Sequence, residues 1–216
     1  MAFEVLDEHE QGELVQKWLR ENVLTILVGV GLGLVLIFGW QQWRSHRARH
    51  DLEAATQYEV LSTDAEKKDY DAVKQIAAKL KTDYSDTPYA VMAAMLEADF
   101  STQRADLESA HTSLDWAYQH AGNDALKALA GLRLARVELA QTKAQDALAL
   151  IDKLPASAYT AQIGELRGDA LVALDRKDEA RAAYTEALAN LDPNSPNRAF
   201  VEMKLNDLGG AEKKGS

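Results

Sequence analysis

Hydrophobic and polar positions along this chain follow two distinct regimes. No charged residue occurs between Glu21 and Arg44, and residues 23–40 read VLTILVGVGLGLVLIFGW, with twelve of the eighteen positions Val, Leu, Ile or Phe. Beyond Arg49 the apolar residues recur at three- and four-residue spacing, separated by short polar breaks, and no long stretch alternates with period two. The first regime predicts one uninterrupted apolar helix. The second predicts a train of amphipathic helices without a sheet, so the expected class is all-α.

The apolar helix has the dimensions of a membrane span. At about 1.5 Å rise per residue the uncharged run 22–43 covers roughly 33 Å, matching a hydrocarbon core of about 30 Å. Trp18, Trp40 and Trp43 fall where interfacial aromatic residues belong. A buried core helix is seldom so long and so uniformly apolar. A cleaved signal peptide has a basic start and a shorter apolar stretch, whereas this chain starts with Glu4, Asp7 and Glu8 and leaves the stretch through Trp43, Arg44 and His46. The pattern is that of an uncleaved signal-anchor: an N-terminal segment 1–22, then a transmembrane helix 23–43. Gly29 and Gly33 form a small-xxx-small pair that would let another membrane helix approach closely, although glycine is common in such helices in any case. Lys17 and Arg20 precede the helix and Arg44, Arg47 and Arg49 follow it. The positive-inside rule thus leans toward a cytoplasmic C-terminal part, by a single charge that does not fix topology.

In the second regime, breaks are expected at 62–64, 84–88, 121–124, 154–157, 175–177 and 191–196. Thr87-Pro88 and Ser195-Pro196 each place a capping hydroxyl before a proline suited to the first helical position. The segments AVKQIAAKL, AHTSLDWAY, ALALIDKL and ARAAYTEAL align with Ala72, Ala110, Ala147 and Ala180 in one column, spaced 38, 37 and 33 residues apart. Ile76, Leu114, Ile151 and Tyr184 form a second column, and Lys79, Ala117, Leu154 and Ala187 a third. Ala98, Ala135 and Gly168 lie twelve residues before the last three alanines, again small. Each unit is therefore a pair of helices with a small residue on each where the two come close. Such a pair cannot bury its apolar face alone, so neighbouring pairs stack.

This small–large–small spacing resembles the tetratricopeptide repeat, with Asp192-Pro193 similar to the family's closing proline, displaced by one position. The expected architecture is a tetratricopeptide-like α-solenoid over 44–208 behind the single N-terminal transmembrane helix. The match is uneven, since the aromatic and leucine positions of the first helix are poorly kept. Nearly end to end, the chain also resembles the YfgM-like family of ancillary SecYEG translocon subunits. The similarity lies in Gln16-Lys17-Trp18-Leu19-Arg20-Glu21-Asn22, in Gly39-Trp40, in Trp43-Arg44-Ser45-His46, and in the stretches around Leu132-Arg133-Leu134-Ala135-Arg136-Val137, Leu166-Arg167-Gly168-Asp169 and Lys204-Leu205-Asn206-Asp207-Leu208. That resemblance implies a cytoplasmic N-terminus and a periplasmic repeat domain in the inner membrane of a Gram-negative bacterium. It further implies association with the SecYEG translocon and a membrane-anchored periplasmic prolyl isomerase, a chaperone-like role toward unfolded secretory proteins, and a link to envelope-stress signalling.

Composition and charge narrow the functions. Of 24 basic and 34 acidic residues, five basic and six acidic precede Asp51, so the remainder carries a formal net charge of −9. An acidic domain repels phosphate backbones, which argues against nucleic acid as a partner. The absence of cysteine removes disulfides, thiolate metal sites and cysteine nucleophiles. His46 and His50 lie four apart with Glu53 nearby, but no HExxH motif completes a metal site; they fit a polar helix leaving the membrane. His111 and His120 have no nucleophile motif at hand, and Gly29, Gly31 and Gly33 lie in the apolar helix rather than in a phosphate loop. Pairs such as Asp64/Glu66 and Asp178/Glu179 fit solvated helix faces. No enzyme, cofactor or metal is expected. Aligned on the tetratricopeptide pattern, Met92, Met95, Asp99, Leu129, Leu132, Arg136, Glu165, Asp169 and Val172 are expected along a partner-binding groove, although the Met and Leu positions suit inter-helix packing equally well. The tail 209–216 has no large apolar residue and is expected to be disordered.

Overall fold

A computed structural model describes residues 8–155 and 159–209. Among them the chain forms nine helices and no strand. Helix α1 runs over Glu8–Glu66 and is followed by α2 (Tyr70–Asp83), α3 (Pro88–Gln103), α4 (Leu107–His120), α5 (Asp124–Ala140), α6 (Ala144–Ile151), α7 (Thr160–Ala173), α8 (Lys177–Asn190) and α9 (Arg198–Asp207). The chain divides into two compact units, residues 1–50 and 51–216. In the first, α1 is apolar and long enough to cross a membrane, and none of its most apolar stretch is buried within the protein. No carbon or polar atom outside the helix's own backbone lies within 4 Å of where a Cβ would stand on Gly29 or Gly33.

The second unit is a stack of helix pairs: the last part of α1 with α2, then α3/α4, α5/α6 and α7/α8, closed by α9. Three apolar clusters run along it. Ala54 and Leu61 of α1 pack with Ala77 and Leu80 of α2 and with Ala90 and Ala93 of α3. Val91, Ala94 and Ala98 meet Ala110, Leu114 and Ala117 and then Ala130 and Leu134. The largest cluster joins Ala135, Ala147, Ile151, Ile163, Leu171, Ala180, Tyr184, Val201 and Leu205 across α5–α9.

The small-residue columns are the seams of this stack. Ala110, Ala147 and Ala180 are each wholly buried, and so is Ala135. Gly168 lies against the ring of Tyr184, which occupies the space a Cβ would need. In the first pair the register differs from the sequence alignment by one residue. Val73, Ala77 and Leu80 are buried where Ala72, Ile76 and Lys79 were expected, because Val73 stands four residues after the N-cap Asp69, as Ala110, Ala147 and Ala180 stand after Asp106, Lys143 and Arg176. Lys79 is accordingly exposed.

The joints within the pairs were only partly visible. Lys68, Ala105, Thr142 and Asp175 all adopt positive φ, between 56° and 61°. In each joint the following N–H reaches a carbonyl five residues back (Asp69 to Asp64, Asp106 to Ser101, Lys143 to Glu138, Arg176 to Leu171), at 2.8–3.0 Å. The αL residue's own N–H bonds three back, to Ala65, Thr102, Leu139 and Val172. This is the Schellman motif, repeated four times without a single glycine. In the first two joints the next residue at once caps the following helix: Asp69 accepts from Ala72 N and Asp106 from Ser109 N, both at 3.1 Å. A chain reversal of three residues is thus built from Lys-Asp or Ala-Asp, which lack the Gly or Pro signature of a turn.

Several expected boundaries move accordingly. Helix α1 continues through 62–64 and ends at Glu66, and the breaks after Gln103 and Ala140 were not anticipated. Thr87 does precede α3, but its hydroxyl bonds back to the Tyr84 carbonyl at 2.8 Å rather than capping the helix. Pro196 does not open α9, whose first residue is Arg198 after Asn197. Residues 156 and 157 of one expected break, residues 1–7 and, apart from Gly209, the expected disordered tail lie outside the described residues.

Candidate functional site

Each pair places its first helix on one side of the stack, and α3, α5 and α7 are direct neighbours there. Asn123 starts α5 by accepting from Leu126 N at 2.9 Å, and Pro88 starts α3. What these helices leave uncovered is the candidate groove.

The expected groove residues separate into three kinds. Met95 and Leu132 are only 4% and 2% exposed, so they are corrected from groove to core. They fall one turn before the small residues Ala98 and Ala135, and the neighbouring pair covers them. Met92 and Leu129 are half-buried and lean on the same cluster. Asp99, Arg136, Glu165, Asp169 and Val172 reach the surface to different degrees, with Arg136 and Val172 exposed.

The polar members are organised by partners that the sequence pattern did not single out. Arg133 on α5 donates to Asp99 on α3 at 2.8 Å. Lys204 on α9 reaches back to α7, donating to Glu165 at 2.7 Å and to Asp169 at 2.9 Å. The Tyr184 hydroxyl from α8 donates to the same Asp169 at 2.7 Å. Burial, reinforced by the Asp169 carboxylate, pushes the Tyr184 phenol well up, so it stays a donor. Burial opposes the charge on Lys204, but its hydrogen bonds to Glu165 and Asp169 outweigh this and raise its pKa. Glu165 and Asp169 are therefore committed to fastening α9 over the end of the stack. The only sequence clue was spacing: Asp99 to Arg133 and Asp169 to Lys204 are 34 and 35 residues, close to the repeat length.

Two further polar clusters lie between the helices. Glu97 of α3 is buried and accepts from Lys81 of α2 at 2.6 Å and from Ser113 of α4 at 3.0 Å, tying three helices together. Glu138 of α5 is also buried, with His111 of α4 3.6 Å from its Oε1. Its Oε2, like Oε1 of Gln141, has no hydrogen-bond partner among the described residues. Burial pushes the Glu138 carboxyl up, with Asp146 adding to the shift and His111 and Lys143 opposing it. Among the described residues no three His, Asp or Glu side chains converge as metal ligands.

Stacked helix pairs with an open row of first helices define a repeat-type scaffold. The family model described as tetratricopeptide repeat-like domain matches residues 16–210, and the chain belongs to that family. It is 30% identical over 202 residues to the ancillary SecYEG translocon subunit of Escherichia coli (strain K12), covering 94% of this chain and 97% of the relative. The protein of the same name from Haemophilus influenzae is 29% identical over 208 residues, covering 96% of this chain and all of the relative. A third, from Neisseria gonorrhoeae, is 29% identical over 198 residues.

Proposed function

We propose that this chain is a non-enzymatic ancillary subunit of the SecYEG translocon, anchored in the bacterial inner membrane by residues 23–43. Residues 1–22 face the cytoplasm and the repeat domain, 44–208, faces the periplasm. There it binds partner proteins, among them a membrane-anchored prolyl isomerase, and holds unfolded secretory chains as they emerge, in a chaperone-like role tied to envelope-stress signalling. One observation carries this reading: the likeness to translocon subunits runs through anchor and repeats alike, covering 97% of the Escherichia coli relative. The open faces of Gly29 and Gly33 suit a contact between α1 and a translocon helix.

Topology and association are tested on the whole protein. A cysteine placed at Ser216, in a chain with no native thiol, should react with a membrane-impermeant reagent from the periplasmic side in cells with an intact inner membrane. Reaction only after the inner membrane is opened would put the repeats in the cytoplasm. That alternative, a scaffold recruiting soluble factors to the membrane, is favoured by the three basic residues that follow the span against two before it. Replacing Gly29 and Gly33 together by Leu should leave insertion intact and reduce co-purification with SecYEG, since longer side chains raise hydrophobicity but block close approach.

A further inference from the structure

The open face of the first helices carries a ladder of ionic contacts, and one rung is unfilled. Ala98, Ala135 and Gly168 occupy equivalent places in α3, α5 and α7, so the residues that follow them, Asp99, Arg136 and Asp169, form one column. Each acid in this column is answered by a cation from the next helix along: Asp99 by Arg133 at 2.8 Å, Asp169 by Lys204 at 2.9 Å. In the middle rung the sign is reversed and the answer is missing. The residue of α7 aligned with Arg133 is Leu166, which is buried, and the acids that α7 does present, Glu165 and Asp169, are both taken by Lys204. Arg136 is exposed and has no acidic partner among the described residues.

This vacancy sets Arg136 apart from the other arginines of the repeats. Arg167, Arg176, Arg181 and Arg198 are paired with Asp152, Glu179, Asp178 and Glu202, and Arg104 lies over the Tyr70 ring. In a unit with a formal charge of −9, acids are plentiful, yet none is placed against this guanidinium. On the same face of α5, two turns earlier, Leu129 is half-buried, and on the neighbouring α7 Val172 is 41% exposed. A planar cation on a face that also carries partly uncovered aliphatic side chains suits a carboxylate carried within an apolar stretch of chain.

We propose that Arg136 receives the side-chain carboxylate of an Asp or Glu inside a polypeptide segment lying across α3, α5 and α7, which gives the groove a preference for acidic–apolar segments. An internal side chain fits better than a chain end, because α3 and α7 continue the face on both sides of the rung. The inference rests on the groove being the holding surface. The pairing is partly solvated, so its contribution is modest: about two- to fivefold in affinity at low salt, fading as salt rises.

The test uses the full-length protein in nanodiscs and labelled eleven-residue peptides with blocked ends, identical except for Glu, Gln or Lys at the centre of a Leu/Ala stretch. The wild type should bind the Glu peptide about two- to fivefold more tightly than the Gln peptide. Arg136→Gln should bring the two together without weakening the Gln peptide, Arg136→Lys should retain part of the preference, and Arg136→Glu should favour the Lys peptide. Unchanged melting curves exclude misfolding, and Arg136→Lys keeps the test open should a charge-removing variant not fold. Equal binding of Glu and Gln peptides by the wild type overturns the assignment of Arg136 and leaves the groove reading standing. A preference for a free C-terminal carboxylate over an internal Glu overturns the internal side chain as the source. Failure of all the peptides to bind overturns both the assignment and the groove reading on which it rests.

Discussion

Thr142 sits in the left-handed region at φ 61°, where a β-branched side chain is least at ease. The conformation costs a non-glycine residue about 1–2 kcal/mol, part of which glycine would return as extra entropy in the unfolded chain. Thr142→Gly should therefore stabilise the repeat unit by about 1 kcal/mol, a rise of about 2–4 °C in thermal melting. Asp175→Gly should gain less, since Asp tolerates this region better; equal gains would mean that strain at Thr142 is not the cause. Glu138 offers a second residue-level test. Its folded pKa lies above the ordinary carboxylate value because burial disfavours the charge, with Asp146 adding and His111 and Lys143 subtracting. The folded state then holds the proton more tightly than the unfolded one. The stability this gives is present at low pH and is lost as pH rises from about 4.5 through the folded value. Glu138→Gln, which cannot ionise, should flatten the melting temperature across that window and stand above wild type at neutral pH. A parallel pair of pH curves would show that Glu138 does not set the dependence.

Among the elements, α7 packs tightly on α8 through two missing side chains, Gly164 against Ala183 and Ala187 and Gly168 against Tyr184. The Tyr184 ring lies where a Cβ on Gly168 would stand. Gly168→Ala would force the ring away, break the alignment of its hydroxyl with Asp169, and destabilise by about 1–3 kcal/mol despite alanine's better helix propensity. A thermal melt showing stabilisation would mean that the seam can open without cost. This pairing was legible from sequence because Gly168 and Tyr184 fall in columns that repeat. Of the joints between first and second helices, only the one at 175–177 was. Lys68, Ala105 and Thr142 are chemically ordinary, and what makes them turn residues is the carbonyl geometry of the helix they end, which appears only once the helix exists. The one-residue slip at Ala72/Val73 has a similar origin. Alanine matched the column by type, while burial is decided by the position four residues after the N-cap, which in α2 is Val73. Groove and core were inseparable for Met95 and Leu132 because both roles use the same apolar side chains, whereas Arg136 was readable as surface because a guanidinium without a partner is not buried.

At the scale of the whole molecule, the three apolar clusters are joined end to end rather than gathered into one centre, so each pair depends chiefly on its neighbours. One side chain happens to sit where two of them meet. Trp116 on α4 is half-buried against both the cluster of α1–α3 and that of α3–α5, with His120 stacked on its indole at 4.1 Å. It is also the only tryptophan after Trp43, the other three being Trp18, Trp40 and Trp43 of α1. The protein thus carries an optical gauge fixed to one end of its own stack. With Trp18, Trp40 and Trp43 replaced by Phe, tryptophan emission should follow the opening of α1–α5 and be blind to the release of α9, more than two helix pairs away. Circular dichroism sees every helix alike, so an early helical loss with steady emission would record the stack unfastening from its C-terminal end. Coincident curves from the two signals would show that the pairs melt as one.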